Sequence, residues 1–439
     1  MDSKNTPRVV IIGGGFAGLY AARKLGNKPV RVMLLDRKNH HLFQPLLYQV
    51  ATAGLSPADI AAPIRWILRK KRNVEVLLCE TTGIDLDRKV VLSCDVEIPY
   101  DYLILATGAG HAYFGHEEWQ QYAPGLKTLE DATDIRRRVL LAFEKAERKA
   151  LVEGAHPTVN FVVVGGGPTG VELAGTLAEV ARVAMKNDFR AIDPSQTRIL
   201  LLEGSPRVLA AYPEDLSQSA REQLTELGVE VHTSTVVTYV GPDEVRVGNR
   251  SIPSAVTLWA AGVAASPLGR KLGVPVDKAG RVIVNEDLTV PGHPEVFVCG
   301  DLASAKQSDG TPVPGVAPAA IQMGEFAART ILAELKGKKR SPFNYWNKGS
   351  LATIGRAAAV ADFGKLHFSG FPAWLGWLFI HLFFLIGFRN RLLVIIDWAW
   401  SYLTFQRSAR LITNLHSYAP TDSPRADVSE EHVEAQKAS

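Results

Sequence analysis

Two copies of one glycine pattern, each set between apolar runs, restrict this chain more than any other feature. Val9-Val10-Ile11-Ile12 is short, continuous and apolar, which suits a strand buried on both faces of a parallel sheet. It leads into Gly13-Gly14-Gly15-Phe16-Ala17-Gly18, a G-x-G-x-x-G sequence. A helical stretch over 17–25 follows, and a second apolar run over 30–35 ends in Asp36, 18 residues past the last glycine. Strand, glycine turn, helix, strand and acid, in that order, make a dinucleotide-binding βαβ unit. Gly13 permits the tight turn, Gly15 lets the backbone approach a pyrophosphate, and Gly18 lets the helix pack against the sheet. The helix N-terminus offers free N–H groups and a positive dipole to phosphates. Asp36 is placed to accept hydrogen bonds from an adenosine ribose.

The unit recurs. An apolar run over 160–164 enters Gly165-Gly166-Gly167-Pro168-Thr169-Gly170, a helix is expected to about residue 185, and a strand over 198–202 ends in Glu203. A carboxylate there repels a 2′-phosphate and favours NADH over NADPH, while Arg207 close by works against that preference. Two fingerprints imply two dinucleotides, naturally a flavin that stays bound and a nicotinamide that exchanges. Two further strand ends fit this reading: 102–105 runs into Ala106-Thr107-Gly108, and 296–299 runs into Gly300-Asp301. Asp301 suits the ribityl or phosphate end of a flavin.

Composition narrows the alternatives. With 439 residues, 46% hydrophobic and 21% charged, the chain is a folded protein of about three domains. A net charge of +4 is too weak and scattered for nucleic-acid binding. The short basic clusters at 69–72, 136–138 and 338–340 read as solvated faces or as attraction to anionic lipid. Cys79, Cys94 and Cys299 form no close pair, so a disulfide framework, dithiol chemistry and a structural zinc site are not expected, and a reducing compartment is. No other metal site is expected. The first eight residues are polar and carry no signal-peptide core, so the chain reads as cytoplasmic.

The combination resembles the flavoproteins built like glutathione reductase and, within them, the type II NADH:quinone oxidoreductases. The likeness spans roughly residues 7 to 415 and is carried by His41-Leu42-Phe43-Gln44-Pro45-Leu46-Leu47-Tyr48-Gln49-Val50-Ala51, by Leu258-Trp259-Ala260-Ala261-Gly262, and by an apolar C-terminal region. It implies FAD on the first fingerprint, with Gln44, Thr107, Gly108 and Asp301, and NADH on the second, with Ala261 and Gly262. It also implies hydride transfer from nicotinamide C4 to flavin N5, then two electrons to a membrane quinone without proton pumping. The family's quinone-site pattern, A-Q-x-A-x-Q, reads here Ala317-Pro318-Ala319-Ala320-Ile321-Gln322. Ala317, Ala320 and the second glutamine, Gln322, are kept; Pro318 replaces the first glutamine and brings no amide. That departure leaves room for a protein acceptor such as a ferredoxin, or for a non-enzymatic NADH-binding flavoprotein. Glu172 is read either as a first-turn carboxylate favoured by the helix dipole or, on the resemblance, as a catalytic group near nicotinamide and flavin.

The mean hydropathy of +0.03 is uneven along the chain. Residues 366–388 carry no Lys, Arg, Asp or Glu, and four of eight Trp lie between 374 and 400. A spanning helix, a dimer interface and a monotopic anchor all accept such a stretch; arginines flanking two short apolar segments fit the anchor best. The expected architecture is α/β, two Rossmann-like dinucleotide-binding domains plus a C-terminal membrane-associating segment. Its parts are 1–118 and 281–340 for FAD, 119–280 for NADH, 341–415 for the anchor on the cytoplasmic face of a membrane, and a disordered tail over 416–439. A homodimer is a further possibility.

Overall fold

The computed structural model describes residues 6–404, 407 and 409–413. The first apolar run is strand β1 (Arg8–Ile12), followed by α1 (Phe16–Leu25), β2 (Arg31–Asp36), β3 (Val74–Leu78) and β4 (Tyr102–Leu105). The middle of the chain forms α2 (Leu129–Glu153), β5 (Asn160–Val164), α3 (Pro168–Glu179), β6 (Arg198–Leu202), β7 (Val229–His232) and β8 (Val256–Trp259). The chain continues through β9 (Thr289–Val290), β10 (His293–Val298) and α4 (Ala317–Glu334). It then forms β11 (Ser350–Gly355), β12 (Ala358–Asp362), β13 (His367–Ser369), α5 (Phe371–Phe384) and α6 (Phe388–Thr404).

Two parallel sheets carry the two fingerprints. The first runs β9-β10-β4-β1-β2-β3 and is parallel except at β9. Val9, Val10 and Ile11 at its centre are fully buried, as strands covered on both faces require. The late strand β10 pairs with β4, so residues 293–298 rejoin the sheet that the first hundred residues begin. The second sheet runs β7-β6-β5-β8, all parallel. Between the two, α2 starts on a capping box in which Thr128 and Asp131 satisfy each other's backbone N–H groups.

The expectation of unpaired cysteines is corrected. Cys79 and Cys94 form a disulfide with Cα atoms 5.8 Å apart. The strands Thr81–Asp85 and Val90–Ser93 pair antiparallel with Thr81 opposite Ser93. That register brings the residues just outside the hairpin together, although 15 positions separate them in sequence. Spacing alone did not reveal this, because the pairing depends on a hairpin register rather than on a short motif.

The C-terminal region is a three-stranded antiparallel sheet followed by two helices. Gly175 of α3 meets β11 so closely that a Cβ on it would lie 1.7 Å from the Ile354 carbonyl oxygen, which fastens this sheet to the second fingerprint's helix. The 366–388 run is not one helix: its start is strand β13, Gly370 turns the chain at φ 66°, and α5 begins at Phe371. Among the described residues no helix is long and apolar enough to cross a membrane. Instead α5 and α6 lie against the body. Trp377, Leu385 and Val394 are buried, and Trp398 Nε1 donates to Gln49 Oε1 at 2.7 Å. Arg407 returns to Glu179, Nη2 to Oε2 at 2.8 Å. The tail expected to be disordered lies outside the described residues.

Candidate functional site

Three helix N-termini border one cleft of about 780 Å³. They are the starts of α1 at Phe16 and Ala17, of α3 at Pro168 and Thr169, and of α4 at Ala317 and Pro318. None of the three has a side-chain cap or an acidic first turn, so their free N–H groups and positive dipole ends remain available to the cleft. Such an arrangement suits a phosphate-bearing ligand.

The first glycine turn is shaped by backbone contact. Gly13 sits at φ +102°, and a Cβ there would lie 2.3 Å from the Ala106 carbonyl oxygen. A Cβ on Gly18 would lie 1.9 Å from the Gly13 oxygen, whereas one on Gly15 would meet no protein atom within 4 Å. Gly13 and Gly18 therefore serve the fold, and Gly15 faces open space in the cleft. Asp36 closes the turn: Oδ2 accepts from Gly14 N at 2.5 Å and Oδ1 from Lys38 N at 2.7 Å. His41 braces it from behind, with Nδ1 2.9 Å from the Gly14 oxygen and its ring edge-on to Phe16 at 5.1 Å. Burial lowers the His41 pKa to about 4, so the ring is neutral at physiological pH.

The cleft gathers Gly13, Gly15, Asp36, Gln44, Thr107 and Gly108 from the first half. Asp301, Ala317 and Ala320 join them from the later part of the chain, and Glu172 from α3. Gln44 donates from Nε2 to the Lys127 oxygen at 3.1 Å. Thr107 Oγ1 is buried with no protein partner, and Asp301 makes no side-chain hydrogen bond among the described residues. An orphaned hydroxyl, an uncommitted carboxylate and an open glycine cradle fit a flavin dinucleotide that would supply the missing partners.

Glu172 sits near the middle of this arrangement. It is partly buried and lines the cleft, and burial holds its pKa well above the usual carboxylate range. Tyr48 stands near it, buried and held neutral far above the ordinary phenol range by that burial. Gln49 Nε2 donates to the Tyr48 hydroxyl at 2.9 Å. From α5, Ile380 and His381 border the same cleft, and burial lowers the His381 pKa to about 4. Nothing in the sequence pattern pointed to His381; only the packing of α5 against the body brings it there.

Other expected site residues lie elsewhere. Gly165, Gly167 and Gly170 form the second turn, Glu203 follows β6, and Ala261 and Gly262 follow β8; none of them is among the residues lining the cleft. Glu203 closes that turn as Asp36 closes the first: Oε2 accepts from Gly166 N and Oε1 from Ser205 N. Arg207 is spent on the Tyr212 and Ala210 carbonyls, at 2.6 and 2.9 Å. Gln322 is also outside the cleft lining. Its amide pairs at both ends with the Trp346 backbone, each bond 3.0 Å. Cys299 borders the cleft alone, its thiol pushed up by burial, and neither member of the Cys79–Cys94 pair reaches it. Among the described residues no cluster could hold a metal ion.

Comparison with known proteins settles the family. The pyridine nucleotide-disulphide oxidoreductase profile matches residues 7–324, and the NDH2 C-terminal domain profile matches residues 347–407. A type II NADH:quinone oxidoreductase of Mycobacterium tuberculosis is 46% identical over 430 residues, covering 94% of this chain and 92% of its own. This chain belongs to the type II NADH:quinone oxidoreductases. A demethylphylloquinone reductase of Synechocystis is 30% identical, with 89% of this chain and 95% of its own covered. Among solved structures, the NDH2 of Plasmodium falciparum in complex with NADH superposes with a TM-score of 0.82 at 22% identity, over 92% of this chain and 99% of that one. The expected α/β fold with two Rossmann-like units is therefore observed.

Proposed function

We propose that the protein is a flavin-dependent NADH:quinone oxidoreductase that holds FAD in the cleft, takes NADH on the second glycine turn and works at a membrane surface. The observation that carries this reading is the single cleft on which the N-termini of α1 and α3 converge, with α5 at its edge. In it Gly15, Thr107 and Asp301 would hold the flavin nucleotide. A bound flavin supplies acceptance of a hydride from NADH and release of two electrons to a quinone. The protein's share is position and environment. The α3 N-terminus orients a nicotinamide nucleotide along the cleft. Glu172, kept protonated by burial, is the proton-bearing group nearest that junction. Neutral His381 and Ile380 present an uncharged wall to an apolar acceptor, beside residues 317–320.

The test is direct. Purified, flavin-loaded protein should oxidise NADH with a short-chain quinone as sole acceptor. Oxidation of NADH with no transfer to any quinone would reject the reading, and turnover with ferredoxin alone would favour the protein-acceptor alternative that Pro318 leaves open. Nucleotide choice has its own measurement. Glu203 places a carboxylate at the ribose end, and Arg207 is occupied by backbone carbonyls, so kcat/KM should favour NADH over NADPH. Equal values would remove that role from Glu203.

A further inference from the structure

A second cleft, of about 610 Å³, opens where the turn between α5 and α6 meets α1 and the short helix Ile64–Leu68. Five cations line it: Arg23, Arg69, Lys70, Lys71 and Arg391. No acidic side chain is among its lining residues, and none of the five forms an ion pair among the described residues. Three like charges on consecutive positions, with two more across the cleft, repel one another, and an anion among them relieves that repulsion.

The apolar part of the same cleft is equally specific. Trp66 is 47% exposed, carries the Arg69 guanidinium over its ring at 4.4 Å, and packs against the Gly387 turn, where φ is +98°. Arg391 is fixed at the seam: Nε and Nη2 donate to the Leu385 and Phe383 carbonyls, both at 2.7 Å. Phe383 lines the cleft and is 70% exposed; Phe379 and Phe388 nearby are 68% and 82% exposed. Asn390 Nδ2 holds the seam closed by donating to the Ala58 and Ala61 carbonyls, at 3.3 and 3.4 Å. An anion-demanding rim thus adjoins a ledge of exposed aromatic residues, one of them an interface-type tryptophan.

We infer that this cleft binds the headgroup of an anionic phospholipid, its phosphate against Arg69, Lys70 and Lys71 and its acyl chains along Trp66 and Phe383. The inference rests on the proposal that α5 and α6 lie on a membrane. It adds a lipid-specific contact made by the first nucleotide-binding unit itself. The exposed aromatic ledge beside the cations decides for a lipid: a soluble phosphate would satisfy the cations and leave Trp66 and Phe383 in water. A lipid held across the seam also links the body to the α5–α6 turn and so fixes the orientation of the cleft's owner on the bilayer.

The test uses the full-length, flavin-loaded protein and flotation with vesicles of phosphatidylcholine alone or with one part in five phosphatidylglycerol. Wild type should bind the anionic vesicles at least tenfold more tightly in 0.1 M KCl, with the preference shrinking in 0.5 M KCl. The variant Arg69→Gln/Lys70→Gln/Lys71→Gln should lose about tenfold or more of its affinity for anionic vesicles. It should keep its affinity for neutral vesicles and its NADH oxidation rate. Lys338→Gln/Lys339→Gln, which neutralises exposed lysines in another basic cluster, should change neither. Equal binding of wild type to both vesicle types would overturn the lipid site while leaving the membrane reading intact. Absence of binding to either would overturn both. A loss in the Lys338/Lys339 variant as large as in the triple variant would also overturn the site, since the effect would then be net charge alone.

Discussion

At the scale of single residues, the decisive group is Glu172. Burial raises its pKa above the usual carboxylate range, so protonation is favoured in the native state at pH values where the unfolded chain, with a pKa of about 4.3, has released the proton. The sign follows: this group's contribution is neutral below the unfolded pKa, and wild-type stability falls as pH rises towards the folded pKa. Glu172→Gln keeps shape and neutrality but does not titrate. The melting temperature of the variant relative to wild type should therefore climb between pH 5 and 8, and a difference independent of pH would contradict the buried, protonated carboxyl. Quinone turnover should fall on the order of a hundredfold if the group moves a proton, while bleaching of the flavin by NADH in a single turnover persists. The sequence left Glu172 divided between a first-turn carboxylate and a catalytic group; α3 begins at Pro168, so Glu172 lies beyond its first turn. What the packing adds is burial beside Tyr48 and the C-terminal strand that carries Thr353, neither of which a local pattern reveals. Gln322 shows a second limit: its motif position suggested the quinone, and no local pattern showed that its amide would also pair with the Trp346 backbone.

At the scale of elements, the glycine turns were the most legible part, because each glycine answers a local steric demand. The demands differ, and this can be measured. Gly18→Ala places a methyl group 1.9 Å from the Gly13 oxygen and should cost about 1–3 kcal/mol or more by overpacking. Gly15→Ala meets no protein atom within 4 Å, so the apoprotein should melt within about a degree of wild type. Its methyl group occupies the ligand's space, and flavin retention after gel filtration should drop sharply. Normal flavin content in a stable Gly15→Ala protein would place the dinucleotide elsewhere. Gly175→Ala tests a different joint. It drives α3 from β11, where the Ile354 oxygen would be 1.7 Å away, and should lower stability without touching the nucleotide turns. Long-range joints of this kind, like the Cys79–Cys94 pairing, leave no periodic trace, since a strand's partner 179 positions away is set by packing and not by local pattern.

At the scale of the whole molecule, the apolar C-terminal stretch has two faces, and the sequence showed only their sum. Inward, Trp377 is 2% exposed, stacks on His381 at 4.2 Å and lies 5.6 Å from Trp398. Outward, Phe379, Phe383 and Phe388 stand in solvent within eleven residues of it. An α-helix that is apolar all round can serve the core and an apolar exterior at once, which is why hydropathy could not tell an anchor from a core element. The division predicts opposite consequences for substitutions of like chemistry. Trp377→Ala should remove about 3–5 kcal/mol of stability, and deleting residues 366–439 should leave an aggregating protein, because the surfaces of Leu47, Tyr48 and Ile60 that these helices cover become exposed. Phe379→Ser/Phe383→Ser/Phe388→Ser touches only the outward face. That variant should keep its melting temperature within about 3 °C and its NADH oxidation with a water-soluble quinone, yet partition into the soluble fraction. Full retention in the membrane fraction by a folded triple variant would show that the outward face is not what holds the protein to the bilayer.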